Sequence, residues 1–307
     1  EDNFIEIIKA NLNNLKSVNV KIPTKALTVV TGVSGSGKST LIRDILYKNF
    51  IQKIHIRKTK KNSSSSTLFI GCNEVIGWDK FDRVLEVDQS PIGKTPRSTP
   101  ATYIGIWDSI RKLFSETNEA KEKGWTSGHF SFNSGEGRCK ICKGYGIEKI
   151  QMNFLPNVSI KCDACNGLRF DYQTRNIVWN GKSISDVLNM SFAEARIFFK
   201  NHSLIKRPIE LLTELGLGYL TLGQTSATLS GGESQRIKLI SELKKDNNHT
   251  KTLFILDEPT IGLHMADVEN LLITIKKLVS TGNTVIVIEH NLEFWAAADW
   301  IIDLGPE

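Results

Sequence analysis

The feature that most constrains this 307-residue chain is a glycine-rich segment, residues 32–39, that reads Gly-Val-Ser-Gly-Ser-Gly-Lys-Ser. A short apolar, β-branched run at 27–31 precedes it, and a helix-like pattern at 40–46 follows it. A strand, a loop of this form and a helix together make the P-loop that holds nucleotide phosphates. Its backbone N–H groups close around the phosphates, and the helix N-terminus adds positive potential. The sequence therefore predicts an α/β nucleotide-binding core.

Within this segment, the side chain of Lys38 is expected to reach the β and γ phosphates, and Ser39 is expected to hold Mg²⁺. The residues predicted to bind ATP are Gly32, Ser34, Gly35, Ser36, Gly37, Lys38, Ser39 and Thr40.

A second apolar run, residues 252–258, ends in Asp257 and Glu258, as a Walker B strand does. Asp257 is predicted to complete the Mg²⁺ shell through water, and Glu258 to polarise the attacking water. Strands also end in acidic residues at ordinary turns, but the P-loop upstream favours the catalytic interpretation.

A third segment, residues 229–236, reads Leu-Ser-Gly-Gly-Glu-Ser-Gln-Arg and opens a helical pattern. A serine and two glycines at a helix start form an anion site. This segment resembles the signature motif of the ABC ATPase superfamily, which faces the γ-phosphate of an opposing ATPase unit. The resemblance implies that Gln89 is the Q-loop glutamine and that His290 is the switch histidine. It also implies a partner-facing set made of Ser230, Gly231, Gly232 and Glu233.

Many transporter members of that superfamily stack the adenine on an aromatic residue before the P-loop. The corresponding region here, residues 10–16, reads Ala-Asn-Leu-Asn-Asn-Leu-Lys. The sequence therefore leaves the adenine contacts open.

Two CxxC pairs lie between the Q-loop and the signature: Cys139 with Cys142, and Cys162 with Cys165. Two such turns place four thiolates around one metal, and a closed shell of four cysteines is typical of structural zinc. Pairs of this kind favour zinc over disulfides in a reducing compartment. The fifth cysteine, Cys72, is interpreted as a small buried residue.

Residues 149–161, between the pairs, alternate apolar and polar around a Leu-Pro-Asn break, which predicts a hairpin. Cations in and around it could face a nucleic-acid backbone, or they could only solvate a small metal module. These candidate DNA-binding residues are Arg138, Lys140, Lys143, Lys149, Lys161 and Arg169.

The whole chain has 39 Lys and Arg against 33 Asp and Glu, a formal charge of +6, which favours phosphate-bearing partners only mildly. No stretch is long and apolar enough for a membrane helix, and the N-terminus does not resemble a signal peptide, so a cytoplasmic location is expected. The missing initiator Met and the ending straight after a strand-like run suggest a piece of a larger protein.

Several motifs occur in one order: the Q-loop segment 87–98, the zinc pairs, Leu-Gly-Tyr at 217–219, Leu-Gly-Gln at 222–224, the signature, and residues 257–264. With this order of motifs, the chain resembles the C-terminal half of the proteins of the UvrA family, which are the ABC-type ATPases of the bacterial UvrABC excinuclease. The resemblance implies ATP-dependent recognition of DNA damage in nucleotide excision repair, within the SOS response, and no nuclease activity of its own. It implies ATP, Mg²⁺ and structural Zn²⁺ as cofactors. Ile261 stands where that family leads us to expect Thr, which bears on coupling between the two ATP sites.

The resemblance also implies an absent N-terminal half with the second ATPase unit and the contact for a UvrB-like partner, and a homodimer of the full-length protein. It implies that the zinc module and its hairpin separate damaged from intact DNA by sensing deformability. A UvrA-like ATPase acting in drug self-resistance or associated with transport is the alternative. A chromosome-organising ATPase with a zinc hook is disfavoured because the chain lacks long heptad arms.

The predicted fold class is α/β, an ABC-type P-loop ATPase core with a large inserted signature and zinc-binding subdomain. Residues 1–88 are predicted to be the first part of the core, and 221–307 the second part, with the signature at 229–233 and Walker B at 252–258. Residues 89–220 are predicted to be the insert, with the zinc module at about 136–172.

Overall fold

The computed structural model describes residues 3–59, 68–93, 95, 97–152, 155–245 and 251–305, and within these it leaves out the side chains of 59, 149–152, 155–158 and 245. The strands are β1 Phe4–Ala10, β2 Val18–Pro23, β3 Leu27–Thr31, β4 Glu74–Ile76, β5 Arg83–Val87, β6 Ile147–Met152, β7 Leu155–Lys161, β8 Val178–Trp179, β9 Lys182–Ser183, β10 Thr252–Asp257, β11 Thr284–Ile288 and β12 Trp300–Asp303. The α-helices are α1 Lys48–Thr59, α2 Pro100–Tyr103, α3 Trp107–Ser115, α4 Asn118–Glu122, α5 Tyr172–Arg175, α6 Ile184–Asn189, α7 Phe192–Phe198, α8 Ser203–Glu214, α9 Gly231–Lys245, α10 Met265–Ser280 and α11 Leu292–Ala297.

The chain divides into two compact units, Glu1–Gln89 with Lys245–Glu307, and Ser90–Lys244. We call them the core unit and the insert unit. The first boundary lies one residue from the predicted one, whereas the second differs, because the sequence division returned to the core at residue 221. In the structure the insert unit continues through α9, so the signature belongs to it.

The core unit is built on a five-stranded sheet in the order β12-β3-β11-β10-β5, and every neighbouring pair in it is parallel. Strands β3 and β11 are buried at every position, as expected for a parallel sheet covered on both faces. A second, antiparallel sheet has the order β2-β1-β4.

The register of the parallel sheet decides where the site forms. Asp257 at the end of β10 pairs with Ile288 at the end of β11, which itself pairs with Val30 of β3. Val87, at the end of β5, pairs with Leu256. The carboxyl ends of four strands therefore meet at one edge, where open α/β sheets bind their ligands.

The helix after the P-loop begins as a π-helical segment, Thr40–Tyr47, and continues into α1. Leu41, Ile42, Ile45 and Leu46 of that segment are fully buried. Each such aliphatic side chain contributes roughly 1.5–3 kcal/mol on burial. Their packing anchors the helix whose N-terminus faces the phosphate loop.

The insert unit is made of short helices around an aromatic core. Phe114, Phe130, Phe132 and Phe170 are fully buried, and the ring centroids of Trp107 and Phe132 lie 5.4 Å apart. The predicted hairpin forms, with β6 antiparallel to β7. The apolar and polar faces predicted for it involve Ile150, Met152 and Phe154, whose side chains lie outside the described part of the structure. Among the helices that are described, none is long and apolar enough to cross a membrane.

Candidate functional site

The phosphate loop leaves β3 through Gly32, whose φ of +135° suits only glycine. A Cβ atom at Gly32 would lie 1.9 Å from the carbonyl oxygen of Leu304, so no larger residue fits. At Gly37, with φ +101°, a Cβ atom would lie 2.9 Å from Cδ2 of Leu15. The two glycines thus allow the loop to pack closely against its neighbours.

Lys38 is held inside the loop. Its Nζ atom donates hydrogen bonds to the carbonyl oxygens of Gly32 at 2.8 Å and Val33 at 2.9 Å, and the residue is 8% exposed. The ammonium group is therefore already placed within the loop that the sequence assigns to the phosphates.

An open cavity of about 360 Å³ lies against the loop. It brings together the P-loop, the predicted catalytic residues Glu258 and His290, and two residues that the sequence analysis did not assign, Asn13 and Asn14. Its lining is completed by Ser34, Gly35, Gly37, Lys38, Ser39, Thr40 and Ile288.

The two asparagines follow β1 and contact the loop directly. Nδ2 of Asn14 donates to the carbonyl oxygen of Gly35 at 2.9 Å, and Nδ2 of Asn13 donates to Oγ1 of Thr40 at 3.2 Å. They lie within residues 10–16, the region in which many transporter members of the ABC superfamily carry an aromatic residue that stacks on the adenine. The polar side chains of two adjacent asparagines before the P-loop could have indicated a contact with the loop. Their spacing in the sequence, however, matches no known motif.

Asp257, a predicted Mg²⁺ residue, faces a cation of the chain itself. Nη1 of Arg43 lies 3.4 Å from its Oδ2, and Nε of Arg43 also contacts Glu86 on β5. Burial raises the pKa of Asp257, and the nearby charge of Arg43 opposes that rise. Arg43 therefore favours the ionised carboxylate at this position.

Glu258 leaves the sheet in a left-handed backbone conformation, with φ +46°. Its N–H donates to the carbonyl oxygen of Ile288 at 2.9 Å, and its own carbonyl accepts from the N–H of Ile261 at 3.3 Å. A non-glycine residue in this conformation costs roughly 1–3 kcal/mol and persists where the surroundings fix it. The turn places Glu258 in the lining of the cavity.

Gln89 follows β5 by two residues and is half-buried. The register places the end of β5 beside β10, next to Asp257. In the part of the chain that the structure describes, Gln89 is not among the residues lining the cavity. Its assignment as the Q-loop glutamine stays a prediction.

A further residue of this edge, Glu289, was not singled out from the sequence. It is 3% exposed, and its two carboxylate oxygens accept hydrogen bonds from Thr260, His290 and Asn291. In the sequence, only its position between β11 and His290 could have marked it as a residue of the site. Because acidic residues are common at strand ends, that position did not distinguish it.

The signature segment, in the insert unit, begins α9 with a reciprocal cap. Oγ of Ser230 accepts from the N–H of Glu233 at 3.2 Å, and the N–H of Ser230 donates to Oε2 of Glu233 at 2.6 Å. The hydroxyl of Tyr219 donates to the other oxygen of Glu233. Ser230 itself is exposed, and Gly231 and Gly232 follow it at the helix start.

The four predicted zinc ligands converge and are buried. Their Sγ atoms all lie within 4.8 Å of one another, with 3.9 Å between Cys139 and Cys162 and 3.6 Å between Cys142 and Cys165. Tetrahedral zinc with bonds of about 2.3 Å requires sulfur separations of about 3.8 Å, so the four cysteines fit this metal.

The surroundings of the cluster also favour a bound cation. Burial raises the pKa of the Cys162 thiol to about 12, so a thiolate there needs a compensating positive charge. The N–H of Gly146 donates to Sγ of Cys142 at 3.2 Å, as a second layer around a metal site does.

The segments of the chain just before and just after the metal module are hydrogen-bonded to each other. Arg138 and Phe170 form a β-bridge, the N–H of Cys139 donates to the carbonyl of Arg169 at 2.8 Å, and the N–H of Asp171 donates to that of Gly137 at 3.0 Å. These bonds close the segment near the predicted limits of the module.

The predicted DNA-binding cations differ in their surroundings. Lys140, Lys143 and Lys161 are exposed. Arg138 is half-buried and donates from Nη1 to the carbonyl of Asn133 at 2.5 Å. Lys149 lies on β6, but its side chain is outside the described part of the structure.

The structure removes Arg169 from the candidate DNA-binding residues that were predicted from the sequence. It is 7% exposed, its Nη2 donates to the carbonyl oxygen of Gly223 at 2.9 Å, and its guanidinium lies 5.1 Å from the ring centroid of Phe132. Burial lowers its pKa to about 10. A guanidinium enclosed in this way supports the packing of the insert unit and cannot present its charge to a nucleic-acid backbone.

Comparison with known proteins gives a consistent result, although no protein-family model matches the chain. The chain is 52% identical over 304 residues to UvrABC system protein A of Bacillus subtilis, covering 99% of this chain and 31% of that protein. It is 51% identical over 306 residues to UvrABC system protein A of Staphylococcus aureus strain COL, covering 100% and 31%. The chain thus spans about a third of the length of the curated relatives it matches.

Among solved structures, that of UvrA2 from Deinococcus radiodurans matches with a TM-score of 0.86 and 43% sequence identity. The match covers 98% of this chain and 35% of that one. The predicted α/β fold is confirmed by it, and so is the family resemblance drawn from the motifs. Over its whole length, this chain is therefore similar to about a third of the length of UvrABC system protein A, a protein of the family that the motifs resemble.

Proposed function

We propose that the chain is the C-terminal ATPase unit of a UvrA-type protein that uses ATP to recognise damaged DNA in nucleotide excision repair. The observation that carries this proposal is whole-chain similarity at 51–52% to UvrABC system protein A, combined with a cavity in which Lys38, Glu258 and His290 meet.

In the proposed reaction, the P-loop and Lys38 bind the phosphates of ATP, and Ser39 with Asp257 would hold Mg²⁺, which neutralises charge on the phosphoryl oxygens. Glu258 accepts a proton from the water that attacks the γ-phosphorus, and the bond to the β-phosphate oxygen breaks to give ADP and phosphate. His290 lines the same cavity, and it is proposed to donate a hydrogen bond to the γ-phosphate. Gln89 is proposed to sense the nucleotide next to Asp257.

The signature indicates that hydrolysis needs a second ATPase unit. Ser230 is exposed at the start of α9, and its own N–H already donates to Glu233. The groups proposed to meet an anion are therefore the hydroxyl of Ser230 and the N–H groups of Gly231 and Gly232 at the helix start. We propose that this site completes the ATP site of another unit, in a homodimer of two-unit chains that also contacts a UvrB-like partner.

The zinc module is proposed to be the DNA-contacting part. Its four cysteines would fill a tetrahedral shell and leave no open coordination position, so a zinc ion held there would be structural. The exposed cations Lys140, Lys143 and Lys161 supply a phosphate-facing surface without any base-reading helix, which suits recognition by deformability.

Two measurements on the complete natural polypeptide test the proposal: ATP turnover, and binding of lesion-bearing and intact duplex DNA at fixed salt. We expect turnover that depends on Mg²⁺, and tighter binding to the lesion duplex that changes with the bound nucleotide. Turnover without affinity for DNA at low salt would instead support a UvrA-like role in drug resistance or transport.

A further inference from the structure

Glu289 is a buried acidic residue at the nucleotide-binding edge that none of the sequence motifs assigns. We infer that Glu289 is a positioning residue that ties the segment after β10 to the segment after β11, and so fixes Glu258 and His290 against the same cavity. The inference rests on the proposed ATPase function.

Both oxygens of the Glu289 carboxylate are used. Oε1 accepts from the N–H of Thr260 at 2.9 Å and from its hydroxyl at 2.6 Å. Oε2 accepts from the N–H of His290 at 2.8 Å and from the N–H of Asn291 at 3.2 Å. One side chain therefore joins two loops that are separated by more than a whole helix and strand.

The backbone of Glu289 is also fixed. Its N–H donates to the carbonyl of Val30 on β3 at 3.1 Å, and its carbonyl accepts from Nε1 of Trp295 at 3.2 Å. The carboxylate thus starts from a rigid position at the end of the sheet, which is what a positioning group requires.

The chemistry of the site requires a carboxylate. An ionised carboxylate is an acceptor only, with room for about four hydrogen bonds, and here four donors point at it. A buried charge is costly unless it is hydrogen-bonded in this way. The isosteric amide of glutamine would turn an NH₂ group toward N–H donors on one of the two sides, so that side would open.

The consequence concerns the two predicted catalytic side chains. Thr260 follows Glu258 by two residues, and His290 adjoins Glu289, while Glu258 and His290 both line the cavity. The carboxylate, together with the bond from Glu258 to Ile288, sets the separation between them. Misplacing reacting groups by about 1 Å can lower the rate about 100-fold. The hydrogen bonds of Glu289 should therefore affect the rate of ATP hydrolysis more than the affinity for ATP.

The test is Glu289→Gln in the complete natural polypeptide. We expect kcat for ATP to fall about tenfold or more with the KM for ATP changed less than about threefold. We also expect the amides of Thr260, His290 and Asn291 to exchange hydrogen faster in the absence of nucleotide. If Glu289→Gln does not fold, Thr260→Val, which removes only the hydroxyl donor, is the second test. It should give a smaller fall in kcat, again with the KM for ATP changed less than about threefold.

A matched control separates positioning from general stability. Asn49, buried on α1, donates from Nδ2 to the carbonyls of Ile45 and Ile70, and Asn49→Asp removes those donors by a similar isosteric exchange. This variant should melt at a lower temperature and keep its kcat at temperatures where it is folded.

Combination with Thr260→Val gives the decisive readout, because Thr260 and Glu289 act through one contact. The double variant should be no slower than the slower single variant, since residues that work as a unit are not additive. An unchanged kcat in folded Glu289→Gln, or losses that multiply in this double variant, would overturn the inference. Absence of turnover in the wild-type protein would overturn the proposed function instead.

Discussion

The backbone N–H of Glu258 donates a hydrogen bond of 2.9 Å to the carbonyl oxygen of Ile288, the last residue of β11. The bond turns the chain out of β10 into a left-handed conformation at Glu258, with φ +46°. In this way two neighbouring strand ends place an acidic side chain at the cavity formed by the phosphate loop.

That placement predicts the effect of Glu258→Gln. The amide keeps the size of the side chain and the backbone bond but cannot accept a proton, so ATP binding should persist while kcat falls about 100- to 10,000-fold. Nucleotide binding and steady-state phosphate release, each measured on the complete polypeptide, check this. Glu269→Gln, an exposed change on α10, is the control and should leave turnover unchanged. Normal turnover in Glu258→Gln would show that another group activates the water.

The ATPase activity at acidic pH should depend on Arg43. Because this guanidinium opposes the rise in the pKa of Asp257 that burial causes, Arg43→Ala should raise that pKa further. The protonated carboxyl serves Mg²⁺ poorly, so the fall in kcat/KM on acidification should begin at a higher pH than in the wild type. Arg43→Lys, which keeps the positive charge, should shift the profile less. A pH–rate profile measures both, and coincident acid limbs in Arg43→Ala and wild type would contradict this role of Arg43.

Zinc loss should unfold one module and leave the core unit intact. Cys162→Ser removes one of the four buried cysteines that are proposed to bind zinc, and three remaining thiolates would hold the metal weakly. Metal analysis should show loss of bound zinc, with faster hydrogen exchange confined to the segment around the cluster. Cys72→Ser, outside the cluster, should keep its zinc. Zinc retained at full stoichiometry in Cys162→Ser would contradict the assignment of the ligands.

The cations of the insert unit should separate into two classes. Arg169→Ala removes a charged hydrogen bond to Gly223 and the contact with Phe132, so it should lower the free energy of unfolding by about 2 kcal/mol. Lys161→Ala, at an exposed position, should change that free energy by less than about 0.5 kcal/mol. If Lys161 contacts a phosphate, its loss should reduce the salt dependence of DNA binding by about one ion. Thermal melts and salt titrations of DNA binding distinguish the buried cation from the exposed one. An unchanged melting temperature for Arg169→Ala would contradict its structural role.

The sequence predicts those parts of the site whose chemistry requires a fixed spacing. The P-loop, the acidic end of β10 and the four cysteines were identified because phosphate and zinc binding demand particular residues at particular intervals. Asn13 and Asn14 could not be found in that way, since their contact with the loop depends on how the turn after β1 packs on Gly35 and Thr40. The same holds for Glu289, whose four hydrogen bonds come from residues on two separate loops.

Burial is the other property that local sequence does not supply. Arg169 has the same charge as Lys161 and lies in the same cysteine-rich region, yet one is enclosed by Gly223 and Phe132 and the other is exposed. The partners that enclose Arg169 come from distant parts of the insert unit. The return of the chain to the core unit, after α9 and not before it, was likewise decided by packing.

We propose that the zinc module of this chain contributes to telling damaged from intact DNA in an ATP-dependent protein. The most direct measurement is the ratio of dissociation constants for lesion-bearing and intact duplexes of the same sequence, at one salt concentration with ATP, for the wild type and Cys162→Ser. We expect tighter binding to the lesion duplex in the wild type and a ratio close to one in the variant. An identical lesion preference in both proteins would contradict it.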